Sequence, residues 1–244
     1  MNKVVANVEE AIADIPDGAM IAIPGFFTAG VPRILLRALI AKGTKDLTLA
    51  CGCGPLLGAT EELELLCKNK QVKRVIDSYA LFRSASKGLE HCFEQAVRKN
   101  EIELEIYPMG TLAEKYRAAG AGIPAFYTPT GVGTFAEEDI CNVHNGGKKE
   151  KKIINGREYL LEYALKPDFA FIHANQGDQV GNLRYRRTSL NFNHVMAMAA
   201  KITIAEVEEL VEPGLLIPED IHTPGIYVKR IVPVPRLKVK IGID

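Results

Sequence analysis

The feature that most constrains this chain is a fourfold alternation, in its first half, of a short strand-like run with a segment of helical periodicity. Ala19 to Ile23 is a wholly apolar run, and Pro32 to Ala41 follows with apolar residues at helical spacing. Pro32 suits a first helical turn, and Gly43 closes the helix. The pattern repeats as Leu47 to Cys51 then Leu56 to Cys67, Val72 to Ile76 then Leu89 to Lys99, and Ile102 to Tyr107 then Leu112 to Ala119. Four strand-then-helix units in succession predict an α/β fold: an open, mostly parallel, doubly wound sheet with helices on both faces.

After Gly120 the texture changes. Residues 121–134 are rich in Gly, Pro and Thr and predict a long loop bordering a strand. Long loops in compact domains tend to be functional, so this one is a candidate wall of a substrate channel. Residues 137–152 are polar and end in Lys148-Lys149-Glu150-Lys151-Lys152, which reads as a solvated hairpin arm. Strand-like runs at Tyr159 to Leu161, Phe169 to His173 and Leu183 to Tyr185 predict additional antiparallel strands. A short helix at Val195 to Lys201 precedes a last strand at Ile202 to Glu206. With no repeat of fixed period and no linker, residues 1–244 read as one domain.

Composition excludes several classes of function. Lys plus Arg and Asp plus Glu are 30 each, so the whole chain carries no basic nucleic-acid footprint. No apolar run approaches the roughly 20 residues that span a bilayer. Met1 to Val5 has no signal-peptide character, so a cytoplasmic protein is expected. The five cysteines are irregularly spaced, which argues for free thiols in a reducing compartment.

In open parallel sheets ligands bind beyond the carboxyl ends of strands, so the strand-to-helix turns are where chemistry is sought. The first turn contributes Gly25, Phe26, Phe27, Thr28, Ala29 and Gly30 as candidate binding residues; the alternative is a plain tight turn. It lacks the Gly-Lys-Ser/Thr ending of a nucleoside-triphosphate loop. The second, Cys51-Gly52-Cys53-Gly54-Pro55-Leu56-Leu57-Gly58, approaches a dinucleotide fingerprint with Asp77 beyond it. Its last glycine is one residue late and Pro55 sits in the turn, which disfavours a Rossmann-like oxidoreductase. Cys51 and Cys53 have no second Cys/His pair nearby, so they read as buried thiols and not as a metal site. The third turn is Pro108-Met109-Gly110-Thr111. No nucleophilic-serine motif occurs. The histidines are scattered, with His173 read as a satisfied core residue. Glu61, Glu62 and Glu64 read as helix surface, and Glu114 as a first-turn helix acid.

Several longer segments carry a family resemblance. They are Gly110 to Glu114, Gly120 to Gly131, Asn191-Phe192-Asn193 with Met196 to Ala200, and Pro218 to His222 with Pro224 to Val228. Through these, with Ser78-Tyr79 and the Gly25-Phe26 turn, the chain resembles, from about Met1 to Val232, the alpha subunit of the two-subunit family I CoA-transferases (3-oxoacid, acetate and butyrate–acetoacetate types). The resemblance implies ping-pong transfer of coenzyme A between carboxylic acids through a nucleophilic glutamate. That glutamate lies in a Glu-Asn-Gly type segment of a beta subunit. This chain has no such segment, so no catalytic residue is expected in it, and a beta partner, in an α2β2 heterotetramer, is implied. Coenzyme A is a substrate, and neither a cofactor nor a metal is expected. Backbone amides near Gly25 and Phe26 would hold substrate or oxyanion.

The chain departs from the family at three places. A Gly-Gly-Phe-Gly turn becomes Pro24-Gly25-Phe26-Phe27, a paired Asn-Asn becomes Gly52-Cys53, and a Gln in the third turn becomes Met109. The stretch from Leu81 to Lys99 is also longer and more helical than usual. The resemblance then implies a binding set of Gly25 to Gly30, Gly52, Cys53, Met109 and Gly110 in a pocket that has lost polar donors. An altered acyl specificity toward a bulkier or more apolar acid is expected, with an inactive or hydrolytic relative as the alternative. An effector-sensing α/β domain is the non-enzyme alternative, but the chain lacks the DNA-binding helix pair such domains carry.

Overall fold

The computed structural model describes residues 1–52, 61–79, 92–143 and 147–237. The expectations for Cys53, for the rest of the second turn, for His91 and His144, and for most of the stretch from Leu81 lie outside them.

Four strands are laid down in parallel order: β1 (Met20–Ala22), β2 (Leu47–Ala50), β3 (Val72–Asp77) and β4 (Glu103–Ile106). The helices on their connections are α2 (Arg33–Lys42), α3 (Glu61–Lys68) and α4 (Cys92–Arg98), preceded at the amino end by α1 (Val8–Ile12). Gly43 ends α2 in the left-handed conformation at φ 74°, its N–H returning to the Leu39 and Ile40 carbonyls. After α5 (Met109–Gly120) come β5 (Ala125–Thr128), β6 (Ile140–Cys141), β7 (Lys151–Ile154) and β8 (Arg157–Tyr163). Then β9 (Phe169–Asp178), β10 (Leu183–Arg184), α6 (Asn193–Ala199), β11 (Ile202–Val211) and β12 (Arg230–Pro233) complete the chain's described elements.

Among the described residues the main sheet runs β12-β11-β9-β1-β2-β3-β4-β6, with β10 paired to β9. Only β6 and β10 are antiparallel within it. A smaller antiparallel sheet runs β5-β8-β7. The strand expected to be the last, at Ile202, runs on to Val211 and is followed by β12.

Alternation along the strands sorts their side chains into two cores. Ile21, Leu49, Val75, Leu104, Phe171 and Ile204 meet residues of α1 to α4 on one face. Ala22, Ala50, Ala170, Ala174 and Ala205 meet α5 and α6 on the other. The large side chains fill a broad layer; the alanines let α5 and α6 lie close to the sheet. Both faces are thus covered, which is why the central strands read as near-continuous apolar runs.

Candidate functional site

From β1 the chain steps outward through β2, β3 and β4, whereas β9 pairs with β1 on its other side. The helix after β1 lies on one face and the helix after β9 on the other. This reversal opens a crevice beyond the carboxyl end of β1, the position where open α/β sheets bind ligands.

The first turn fills that crevice as a tight two-residue hairpin. The Phe26 N–H donates to the Ala29 carbonyl (3.1 Å) and the Ala29 N–H to Phe26 (3.0 Å). Phe27 at its tip has φ 52°. Two asparagines before and within α6 clamp the hairpin's base. Asn191 Oδ1 accepts the Gly25 N–H at 3.1 Å, and its Nδ2 donates to the Ala29 carbonyl at 3.1 Å. Asn193, fully buried, donates to the Gly30 carbonyl at 2.9 Å and accepts the His173 N–H at 2.9 Å. Gly30 has φ 73°, and a Cβ there would lie 2.7–2.8 Å from the Ser189 carbonyl and both asparagine amides. No other residue fits. The Gly25 and Phe26 amides, expected to face an oxyanion, are therefore turned to Asn191 and Ala29 in this state.

Beside the hairpin lies a cavity of about 520 Å³. Gly25 and Phe26 form one wall, Met109 and Ala113 of α5 another, and Leu190, Phe192 and Val195 the third. Arg187 and Thr188 sit at its edge. Arg187 has φ 52°, and among the described residues its guanidinium has no ion-pair partner. Gly52 packs against the cavity residue Phe192. Its missing side chain leaves room for the Phe192 ring, which a Cβ would overlap. Phe192 in turn meets Tyr116 edge to face, centroids 6.2 Å apart. The Tyr116 hydroxyl donates to the Cys51 carbonyl at 2.8 Å, and the Ser78 hydroxyl donates to the Gly52 carbonyl. Burial pushes both the Cys51 thiol and the Tyr116 phenol well above their usual pKa values, so neither ionises in the working range.

The cavity brings together Gly25, Phe26 and Met109, with Gly52 against Phe192 and Gly110 next along α5. Thr28 and Gly30 face a different cavity, of about 430 Å³, with Arg33, His173, Glu206 and Glu208. Phe27 and Ala29 line neither of these two cavities. The segment 121–134 contributes β5 to the small sheet, and none of its residues lines the first cavity. His173 bonds a buried carboxylate, Nδ1 to Glu206 Oε1 at 2.9 Å. Sequence reasoning misses Leu190, Val195 and Arg187 as site residues. Only tertiary packing places them here, although the Asn-Phe-Asn segment between them is legible.

Three readings of charge are corrected. Glu62 is buried, not surface: the Arg33 and Arg37 Nε atoms grip it at 2.8 and 2.7 Å. Lys149, in the charge run expected to be solvated, has a side chain 6% exposed and pairs with Glu162 (4% exposed) at 2.7 Å. Lys115 (7% exposed) pairs with the other Glu162 oxygen at 2.8 Å, so one buried carboxylate fastens the small sheet to α5. Glu114 is not a first-turn acid: α5 starts early, at Met109 after Pro108, and Glu114 pairs with Arg117 at 2.7 Å.

These features describe an α/β domain with a largely apolar pocket at the switch point of its sheet. The described residues lining that pocket include no carboxylate, thiol or imidazole. The family model described as coenzyme A transferase matches residues 5–233, and the chain belongs to that family. It is 43% identical to the A subunit of the probable succinyl-CoA:3-ketoacid coenzyme A transferase of Mycobacterium tuberculosis, over 99% of this chain and 97% of the relative. It is 42% identical to the A subunit of the 3-oxoadipate CoA-transferase of Pseudomonas putida, over 96% and 94%. Its fold matches glutaconate coenzyme A-transferase from Acidaminococcus fermentans with a TM-score of 0.78 at 24% identity, covering 96% of this chain and 76% of that one.

Proposed function

We propose that this chain is the alpha subunit of a CoA-transferase that exchanges coenzyme A between an acyl-CoA and a carboxylic acid, together with a beta-type subunit. The observation that carries the reading is a built acyl pocket with no nucleophile among its described lining residues, in a chain of this family. The relatives are named as one lettered component of their enzymes, which supports a separate partner as the source of the attacking glutamate.

In this reading the partner's glutamate attacks the acyl-CoA thioester and forms a mixed anhydride. The released CoA thiolate attacks the anhydride, leaving a glutamyl-CoA thioester and freeing the first acid. The acceptor carboxylate then reverses the two steps. Residues of this chain hold the acyl end against Phe26, Met109 and Phe192 and keep water away from the anhydride. Coenzyme A enters as substrate, and no cofactor is invoked. We further propose one domain over residues 1–244, an α2β2 heterotetramer and a cytoplasmic location. No helix among the described residues is long and apolar enough to cross a membrane.

The test is co-expression with the product of an adjacent reading frame that carries a Glu-Asn-Gly segment. Incubation with acyl-CoA and no acceptor should raise the partner's mass by a CoA adduct. A complex that forms but takes up no CoA from any acyl-CoA offered removes the transferase reading.

A further inference from the structure

Three of this chain's exposed large apolar side chains, Phe26 (47% exposed), Met109 (46%) and Leu190 (37%), gather around the mouth of one cavity. Exposed apolar surface concentrated in this way marks a binding site. Below them the floor is also hydrocarbon: Phe192, Val195 and the small Ala113.

Resting on the transferase reading, we propose that the pocket selects acyl groups ending in a branched, medium-chain or aromatic hydrocarbon, with Met109, Leu190 and Ala113 setting the preference. A hydrocarbon end gains by leaving water for these walls. A second carboxylate in the same place would have to shed its hydration among walls that, apart from Arg187, Thr188 and the already bonded Asn191 amide, are hydrocarbon and backbone. The cation nearest, Arg187, sits at the cavity's edge with an exposed side chain, so its methylenes can extend the wall while its charge stays in water. Acetate fits but leaves the pocket largely unfilled. Ala113, facing the pocket from the second turn of α5, sets its depth by being small.

The experiment uses the purified complex with its beta-type partner. Relative kcat/KM is measured for isovalerate, hexanoate and phenylacetate against acetate and succinate. The expected result is a preference of about tenfold or more for at least one hydrocarbon-ended acid, since a single methylene in an apolar pocket discriminates by about 10- to 200-fold. Ala113→Phe should cut the ratio of hexanoate to acetate by about tenfold or more. Met109→Gln, at an exposed position that tolerates polarity, should lower the same ratio by several-fold and guards against a misfolded Ala113→Phe. Best transfer to succinate or acetate overturns the proposal. So does an unmoved ratio in both variants when the complexes assemble, or a loss of assembly alone, which would make the rim a contact between the two polypeptides. If the CoA adduct forms on the partner but the preference is absent, the specificity fails while the transferase reading stands. If no adduct forms at all, the transferase reading has failed.

Discussion

At Gly52 the absence of a single side chain shapes the pocket floor. The Phe192 ring occupies the space a Cβ would need, and Tyr116 braces that ring from the side. Gly52→Ala should therefore push Phe192 into the cavity or strain the backbone, costing about 1–3 kcal/mol as overpacking does. Urea unfolding measures the cost, and a raised KM for the acid in the assembled complex reports the narrowed cavity. A variant as stable as the parent and with unchanged KM would show that Phe192 is free to move aside. The Glu162 carboxylate is the other single residue with large leverage. Glu162→Leu would leave Lys115 and Lys149 buried and facing each other without their shared counter-charge. Breaking a buried pair typically costs about 3–5 kcal/mol, so a correspondingly lower urea midpoint is expected. The sequence resemblance puts Gly52 in the candidate binding set but not against Phe192, and it gives no sign of what Glu162 holds. A glycine in a Gly-rich turn looks permissive, and a lysine in a run of charges looks solvated. Burial and partner identity belong to the tertiary structure, and both change the meaning of the letter.

Elements are more legible than the residues on them. Each of the four β-then-α units has its strand where the sequence pattern puts it: β1 and β2, covered on both faces, read as nearly continuous apolar runs, whereas β3 and β4, nearer the sheet edge, carry charged residues between their apolar ones. Boundaries move where local chemistry outweighs periodicity: α5 starts at Met109, directly after Pro108 and ahead of Leu112 where the helical periodicity begins, and β11 extends past Glu206 along β9. What cannot be read is how helices are tied to one another. Burial alone would raise the Glu62 pKa. The hydrogen bonds from Arg33, its own backbone and Arg37 outweigh that and hold it below the usual carboxylate range. The hydrogen bond from Arg230 does the same for Asp14, overcoming a smaller burial effect, and joins the loop after α1 to β12. A folded pKa below the unfolded one means that the stabilisation is present above the unfolded carboxylate value near 4.5 and is lost as pH falls through the lower folded value. The contribution of these two carboxylates should thus be flat from pH 7 to about 5 and be lost below it, in addition to a decline that starts near pH 6.5 because burial lowers the His194 pKa. Glu62→Gln should be less stable at neutral pH and show a shallower acid decline. Thermal unfolding followed from pH 7 to 3 reads both, and an identical acid slope in the variant would show that the α2–α3 fork does not govern it.

At the scale of the whole molecule, the hardest thing to read from one sequence is what it lacks. The turn at Gly25, the start of α5 at Met109 and the Asn191-Phe192 segment lie far apart in the chain, yet the switch in strand order brings them to one crevice, with Gly52 packed against Phe192. Parallel topology makes such convergence expected, since every strand-to-helix turn opens at the same edge. The chemistry that converges there is one-sided. Hydrocarbon and backbone are present, but no group that can attack a thioester is found among the described lining residues. The Gly25 and Phe26 N–H groups are already bonded within the chain. A pocket with walls but no nucleophile binds without reacting, and binding substrate and transition state equally gives no acceleration of the chemical step. The isolated chain should therefore show no CoA transfer above the uncatalysed background with any acid, while retaining its fold. Adding the beta-type subunit should restore transfer with ping-pong kinetics, parallel lines in double-reciprocal plots at varied acceptor. Circular dichroism of the isolated chain separates a folded, inactive polypeptide from an unfolded one. Turnover by the folded chain alone would mean that a carboxylate of its own reaches the thioester, and the composite-site argument would fall with it.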